Sequence, residues 1–292
     1  MTNSERSRVR TAVRVGAGLI AMAACGGDDQ ASVDARLAVD AVVAIDAAVA
    51  PDACAGAGCP LTPRPIQELQ DGTVGEGVAV AVDKVFVTGL RLTAAGSVLA
   101  FVQEPDGVTT GGHTYPEFAG VQLFVAPAEA AMFPGLGTLQ VGDCISIAGA
   151  TLEFQSDTEI VTPTAFRVEP AGTCGTAPTP LVLPAGAVNF DALATDTDPA
   201  TGGEQPGASA ETYEGVLLKV NGVTAVAATD GAGVFRVTRN GGGAATLEIG
   251  WFMYPAGGPV PATAGQVFTS ITGVYAQRNV FQLLPRGPAD MQ

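Results

Sequence analysis

The chain holds one histidine, His113, in the loop GGHTYPEF, and any Ser–His–Asp chemistry would have to run through it. No Gly-x-Ser-x-Gly nucleophile elbow accompanies it. A lone histidine in a glycine-rich loop reads as a solvated loop residue, so no catalytic residue is expected. PGLGTL (134–139) precedes a strand pattern rather than opening a helix, which excludes a phosphate-cradling loop. The carboxylates Asp191, Asp196, Asp198 and Glu204 could offer calcium several oxygens from one loop. Their spacing does not match an EF-hand, and the stretch 191–204 reads as a solvated acidic loop. No metal site and no cofactor are expected.

Two groups of residues remain as binding candidates. Trp251, Phe252, Met253 and Tyr254 are consecutive. On a strand, Trp251 and Met253 would point one way and Phe252 and Tyr254 the other. One pair would enter a core. The other would serve as an aromatic ligand platform or pack on a neighbouring element. Arg236, Arg239, Arg278 and Arg286 form the one cluster of basic candidates.

Cys54, Cys59, Cys144 and Cys174 are an even set without a Cys-x-x-Cys pair, which favours disulfides over zinc. Four cysteines allow three connectivities. The local pairing, Cys54–Cys59 and Cys144–Cys174, is the preferred one.

Charge narrows the partners. The chain has 14 basic and 29 acidic residues, a net of −15. Without residues 1–24 the balance falls to 10 against 28, a net of −18. Nucleic-acid affinity comes largely from basic residues that displace counterions, so nucleic acid is not expected as a partner. Hydrophobic residues nevertheless make up 47% and charged ones 15%, which is the balance of a folded chain.

The N-terminus carries an address. Four arginines precede the short apolar run VGAGLIAMAA (15–24), which is followed by Cys25. This is the layout of a secretory signal peptide, too short to span a bilayer. Ala23-Ala24-Cys25-Gly26 resembles a bacterial lipobox, which implies lipid on Cys25 and an exported protein anchored to the cell envelope, at the outer membrane. Residues 26 to 62 follow as a disordered spacer. Asp34, Asp40, Asp46 and Asp52 recur in it every six residues, as in the Asp/Ala-rich spacers of lipoproteins from myxobacteria and their relatives.

Beyond the spacer the pattern becomes that of short strands. GVAVAVDKVFVTGL, SVLAFVQEPDG, GVQLFVAP, VGDCISIAGATLEF and AFRVEP make a first set of five, with a short helix expected within 128–139. YEGVLLKVNGVTAV, GVFRVTRNGGG, ATLEIGWFMYP, GQVFTSITGVYAQ and NVFQLLPRG make a second, with Asn240-Gly241 as a hairpin-type turn. VGDCISIAGATLEF and AGQVFTSITGVYAQ align, and each precedes a final short strand. The spacing of Gly149 and Gly273 is that of a domain, so the chain reads as tandem copies of one module.

Five strands with a helical piece between the third and fourth is the layout of an OB-fold barrel. IQELQDGTVGEGVAVAV, LAFVQEP and VGDCISIAG resemble the OB-fold modules of bacterial extracellular nucleases, and the second half is similar. The nuclease domain that carries the chemistry in those proteins has no counterpart in these residues. The expected organisation is therefore all-β: signal peptide 1–24, lipid-anchored spacer 25–62, OB-like barrel 63–172, linker 173–183 and OB-like barrel 184–292. The expected function is a non-catalytic envelope module for a protein or glycan partner, with ligand contacts at Trp251, Phe252, Tyr254, Arg236 and Arg239. The alternative is an OB-fold nucleic-acid-binding protein or a non-catalytic accessory to an extracellular nuclease or hydrolase.

Overall fold

The apolar residues of the first strand change phase once. Val80 and Val82 face the core, and so do Val85 and Val87. An odd step between two inward positions requires an extra residue, and the pairing register shifts between Val82 and Val85, where Lys84 has φ 56°. The bulge bends β1 (Ala79–Leu92) so that one strand can pair on both sides. This computed structural model describes residues 61–292, apart from 109–111, 155–156, 184–189, 194–195, 198–203, 206–209, 241–244, 255–257, 259 and 279. Cys25, Cys54, Cys59, the aspartate repeats, Asp198 and Gly241 lie outside the described residues.

Barrel 1 is built from β1, β2 (Val98–Gln103), β3 (Gly120–Val125), β4 (Cys144–Phe154) and β5 (Asp157–Val168). They close in the order β1-β2-β3-β5-β4, with β3 and β5 parallel. Closure removes free sheet edges. A short helix α1 (Ile66–Gln70) precedes the barrel and buries Ile66 and Leu69 in its core. The helical piece between third and fourth strands is α2 (Pro127–Ala130) followed by a 3-10 turn at Pro134–Thr138.

After β6 (Leu181–Leu183), the helical turn α3 (Phe190–Leu193) and the two-residue strands β7 (Asp196–Thr197) and β8 (Glu204–Gln205), barrel 2 begins. Its strands are β9 (Leu217–Ala225), β10 (Phe235–Arg239), β11 (Leu247–Ile249), β12 (Val267–Arg278) and β13 (Val280–Leu284). The order β9-β10-β11-β13-β12 returns to β9, and β11 and β13 are parallel. This repeats the order of barrel 1 strand for strand. The expected pair of OB-like five-stranded barrels is what the chain forms. Leu181–Leu183, at the end of the linker, adds to barrel 2 as a sixth strand parallel to β9.

The matched glycines have matched reasons. A Cβ on Gly149 would sit 2.4 Å from the Val161 carbonyl oxygen, and one on Gly273 would sit 2.6 Å from the Leu284 carbonyl carbon. In each barrel the fourth strand crosses the fifth closely enough to exclude any side chain. In barrel 1 this is also where β5 bulges, at Thr162 with φ 45°. That bulge carries Pro163 within a strand that begins well before AFRVEP. Cys144 and Cys174 form the expected disulfide, with Cα atoms 6.0 Å apart.

The two barrels share an apolar interface. Val98, Ala100 and Val102 point into barrel 1, while Leu99 and Phe101 point outward. The outward pair meets Leu217, Phe252, Met253, Val274, Ala276 and Leu284 of barrel 2. This explains why SVLAFVQ shows no polar alternation: both of its faces are buried. The Leu217 N–H donates to Gln103 Oε1 at 2.9 Å, and the Phe118 N–H to the Thr212 carbonyl at 2.7 Å, across the same junction.

Candidate nucleic-acid interface

The run Trp251–Tyr254 is a turn, not a strand. β11 ends at Ile249, and the Tyr254 N–H donates to the Trp251 carbonyl at 2.8 Å. A turn rotates successive side chains away from strand alternation, so the pairing expected from the sequence is corrected. Phe252 and Met253 enter the inter-barrel cluster, while Trp251 and Tyr254 pack against the core of barrel 2. Trp251 remains partly exposed.

The turn is fixed from both sides. Gly233, in the loop between β9 and β10, has φ 81°, and a Cβ there would lie 2.6 Å from Trp251 Cδ1. Only glycine satisfies both conditions. On the other side, Arg91 of β1 reaches across the junction. Its guanidinium lies 5.1 Å from the Trp251 ring centre and 5.0 Å from that of Phe252. It also donates to the Phe252 carbonyl at 3.4 Å. Arg278, at the β12–β13 turn, lies 3.4 Å from the Phe252 ring centre. Two cations and two aromatic rings therefore meet beside the loops that follow the first and fourth strands of barrel 2. In OB barrels the corresponding loops frame the oligonucleotide- and oligosaccharide-binding face.

The other arginines do not join this cluster. Arg236 pairs with Glu248 at 3.3 Å, and Arg239 lies over Phe190 at 5.7 Å. Arg286 donates two hydrogen bonds to the Asp290 carboxylate, each 2.8 Å, and a third to the Thr88 carbonyl at 3.2 Å. The four arginines thus occupy separate places. Arg91 was missed by the sequence reading because nothing local links a barrel 1 strand to a turn some 160 residues later.

His113 lies apart, with Nε2 3.1 Å from the Asp71 carboxylate and its ring 4.6 Å from that of Phe118. Burial raises the Asp71 carboxyl, but hydrogen bonds from Thr73 and the His113 ring outweigh it and hold the group below the usual range. Among the described residues, no group of three or more His, Cys, Asp or Glu is arranged to hold a metal ion, and no helix is long and apolar enough to cross a membrane.

No protein-family model matches the chain. No curated protein matches it. Similar solved structures include a small single-stranded DNA-binding protein from Streptomyces coelicolor, at 19% identity and TM-score 0.24, covering 33% of this chain and 95% of that one. A deletion mutant of the single-stranded DNA-binding protein from Thermus aquaticus is 11% identical, with TM-score 0.22, covering 73% of this chain and 93% of that one. A putative aspartyl-tRNA synthetase from Leishmania major Friedlin is 12% identical, with TM-score 0.29, covering 39% of this chain and 22% of that one. The strand order within the chain, rather than these similarities, carries the fold. The charge-based expectation that nucleic acid is not a partner is nevertheless corrected. Arg91 over Trp251 and Phe252, and Arg278 over Phe252, show that whole-chain charge does not describe this patch, so charge alone does not exclude nucleic acid.

Proposed function

We propose that the chain is a non-catalytic binding protein for single-stranded nucleic acid. Trp251 is its stacking platform; Arg91 lies over it and over the adjoining Phe252, and Arg278 lies over Phe252. The observation that carries this reading is the meeting of two guanidinium groups and two aromatic rings beside the loops that frame an OB-type face. Stacking on an aromatic ring contributes about 1–3 kcal/mol per base and tolerates any sequence, because every base has a π-face. Arginine adds attraction for phosphate and for the base plane. The negative net charge makes this binding weak and strongly salt-dependent. The address at the N-terminus places the activity outside the cytoplasm, with the folded barrels tethered through lipid on Cys25. Mass spectrometry of the N-terminal peptide checks that tether: an unmodified Cys25 in membrane-extracted protein overturns it.

Trp251 is the sole tryptophan, so its fluorescence reports the site directly. Titration of the full chain with an oligo-dT at low salt is expected to quench that fluorescence, and physiological salt is expected to reverse the quench. Arg278→Ala is expected to weaken binding with the fold retained by circular dichroism. Absence of quenching at low salt, or binding unchanged by both Arg91→Ala and Arg278→Ala, overturns the reading.

A further inference from the structure

Barrel 1 has a closing element that barrel 2 builds differently. Between the third and fourth strands of barrel 1, the 3-10 turn Pro134–Thr138 buries Leu136 in the core. Among the described residues of 250–266, the equivalent connection of barrel 2 holds no helix. Val260 enters the core from it, and an open cleft of about 410 Å³ lies alongside. That is the size of a small-molecule site. Tyr254, Phe268, Val260, Met291 and Pro288 give it apolar walls, two of them aromatic, and Gln266 adds an amide.

The cleft adjoins the Trp251 patch. Tyr254 closes the turn that Trp251 opens, and Thr229 belongs to the loop whose Gly233 lies against Trp251. Thr229 also fixes that loop to the far wall. Its N–H donates to the Ala262 carbonyl at 3.2 Å, and its Oγ1 accepts from the Ala262 N–H at 2.9 Å. A four-residue turn holds its end Cα atoms within about 7 Å, so neighbouring bases of one strand can reach both Trp251 and the cleft.

We propose that the cleft receives the base next to the one stacked on Trp251, and that Gln266 selects thymine or uracil over cytosine there. This rests on the nucleic-acid reading above and adds a base preference to it. Gln266 Oε1 accepts from the Thr263 N–H at 3.0 Å and lies 3.5 Å from Thr263 Oγ1. That orients the amide, and its N–H groups bond to none of the described residues. The side chain is therefore set to donate rather than accept. The charged sugar–phosphate backbone stays out of an apolar cleft, so the base enters with the edge away from its sugar. In thymine and uracil that edge carries the O4 acceptor. In cytosine it carries the N4 amino donor, which would face the Gln266 amide and leave both donors unmatched. A site built around one hydrogen bond rejects the analogue that cannot complete it.

The test is titration of the full chain at low salt and neutral pH with oligo-dT and with oligo-dC of equal length, read by Trp251 fluorescence. Oligo-dT is expected to bind about tenfold more tightly. Gln266→Glu keeps an acceptor for Thr263 and replaces the outward donor by a carboxylate oxygen. It is expected to weaken both oligonucleotides through its charge and to level or reverse their ratio, with the fold retained by circular dichroism. Equal affinities for oligo-dT and oligo-dC in the unmodified chain overturn the base preference and leave the stacking site standing. A ratio unchanged by Gln266→Glu also overturns it. Absence of quenching by either oligonucleotide overturns the nucleic-acid reading and this proposal together.

Discussion

The two barrels share a strand order but treat one face in opposite ways. In barrel 1 the outer surface of the second and third strands, with Leu99, Phe101, Gln103 and Gln122, is buried. In barrel 2 the equivalent surface keeps Arg236 43% exposed, with Thr238 partly so. The strand face where OB barrels take their ligands is therefore used by barrel 1 to hold its neighbour, while barrel 2 leaves it accessible. Repetition of a fold has not meant repetition of a site.

Substitution on those two faces tests the contrast most strongly. Phe101 is fully buried between the barrels, and Phe101→Ala is expected to cost about 3–5 kcal/mol in urea unfolding. Arg236→Ala, on the open face, is expected to cost less than about 1 kcal/mol, as its partly exposed bridge to Glu248 is screened. Similar costs for the two would mean that the faces do not differ as described.

The next difference is covalent. Among the described residues, the one disulfide lies in barrel 1, tying the start of β4 to Cys174 across 30 residues. Closing a loop of that length stabilises by about 3–4 kcal/mol in the chain-entropy model. Reduction under native conditions is expected to lower the midpoint of barrel 1 unfolding accordingly. An unchanged midpoint would show that β4 is held by its ladders and by packing on Phe86 alone.

Much of this architecture was readable because it rests on local pattern. Alternating valines mark β1, and the aligned stretches around Gly149 and Gly273 mark β4 and β12 and hence the duplication. The Cys144–Cys174 pair follows from even count and proximity in sequence. What was not readable depends on contacts between distant segments. The Asp83–Lys84 bulge is visible only as a phase slip between Val82 and Val85. The aromatic run resembles a strand until Gly250 and the turn closed by Tyr254 interrupt it. Arg91 over Trp251, and the carboxylates around Glu214, come together only when the barrels dock. Composition averaged over the chain concealed both: its negative charge is gathered in part around Glu214, while arginines gather at another place.

The finest comparison concerns a buried pair whose partners have changed places. In barrel 1, Gln122 of the third strand donates its amide to Glu159 of the fifth. In barrel 2, Gln282 of the fifth strand donates to Glu248 of the third. Both pairs join the parallel strands, where the only connection closing the ring is short, and each matches a buried amide donor to a carboxylate. What the ring requires is the complementarity, not which strand supplies the charge. Glu159→Gln alone is expected to cost about 1–2 kcal/mol, by replacing a charge-assisted bond with a neutral one. The double change Gln122→Glu with Glu159→Gln installs the barrel 2 arrangement in barrel 1. Its cost is expected to fall to under about 1 kcal/mol, well below the sum of the single changes. Glu248 also holds Arg236 of the neighbouring strand. The same exchange in barrel 2 removes the carboxylate from that arginine and is expected to be the costlier of the two. Urea unfolding of the four single and two double variants measures both. If the double change in barrel 1 costs as much as its singles combined, the position of the charge matters in itself, and the likeness of the two pairs carries no energetic meaning.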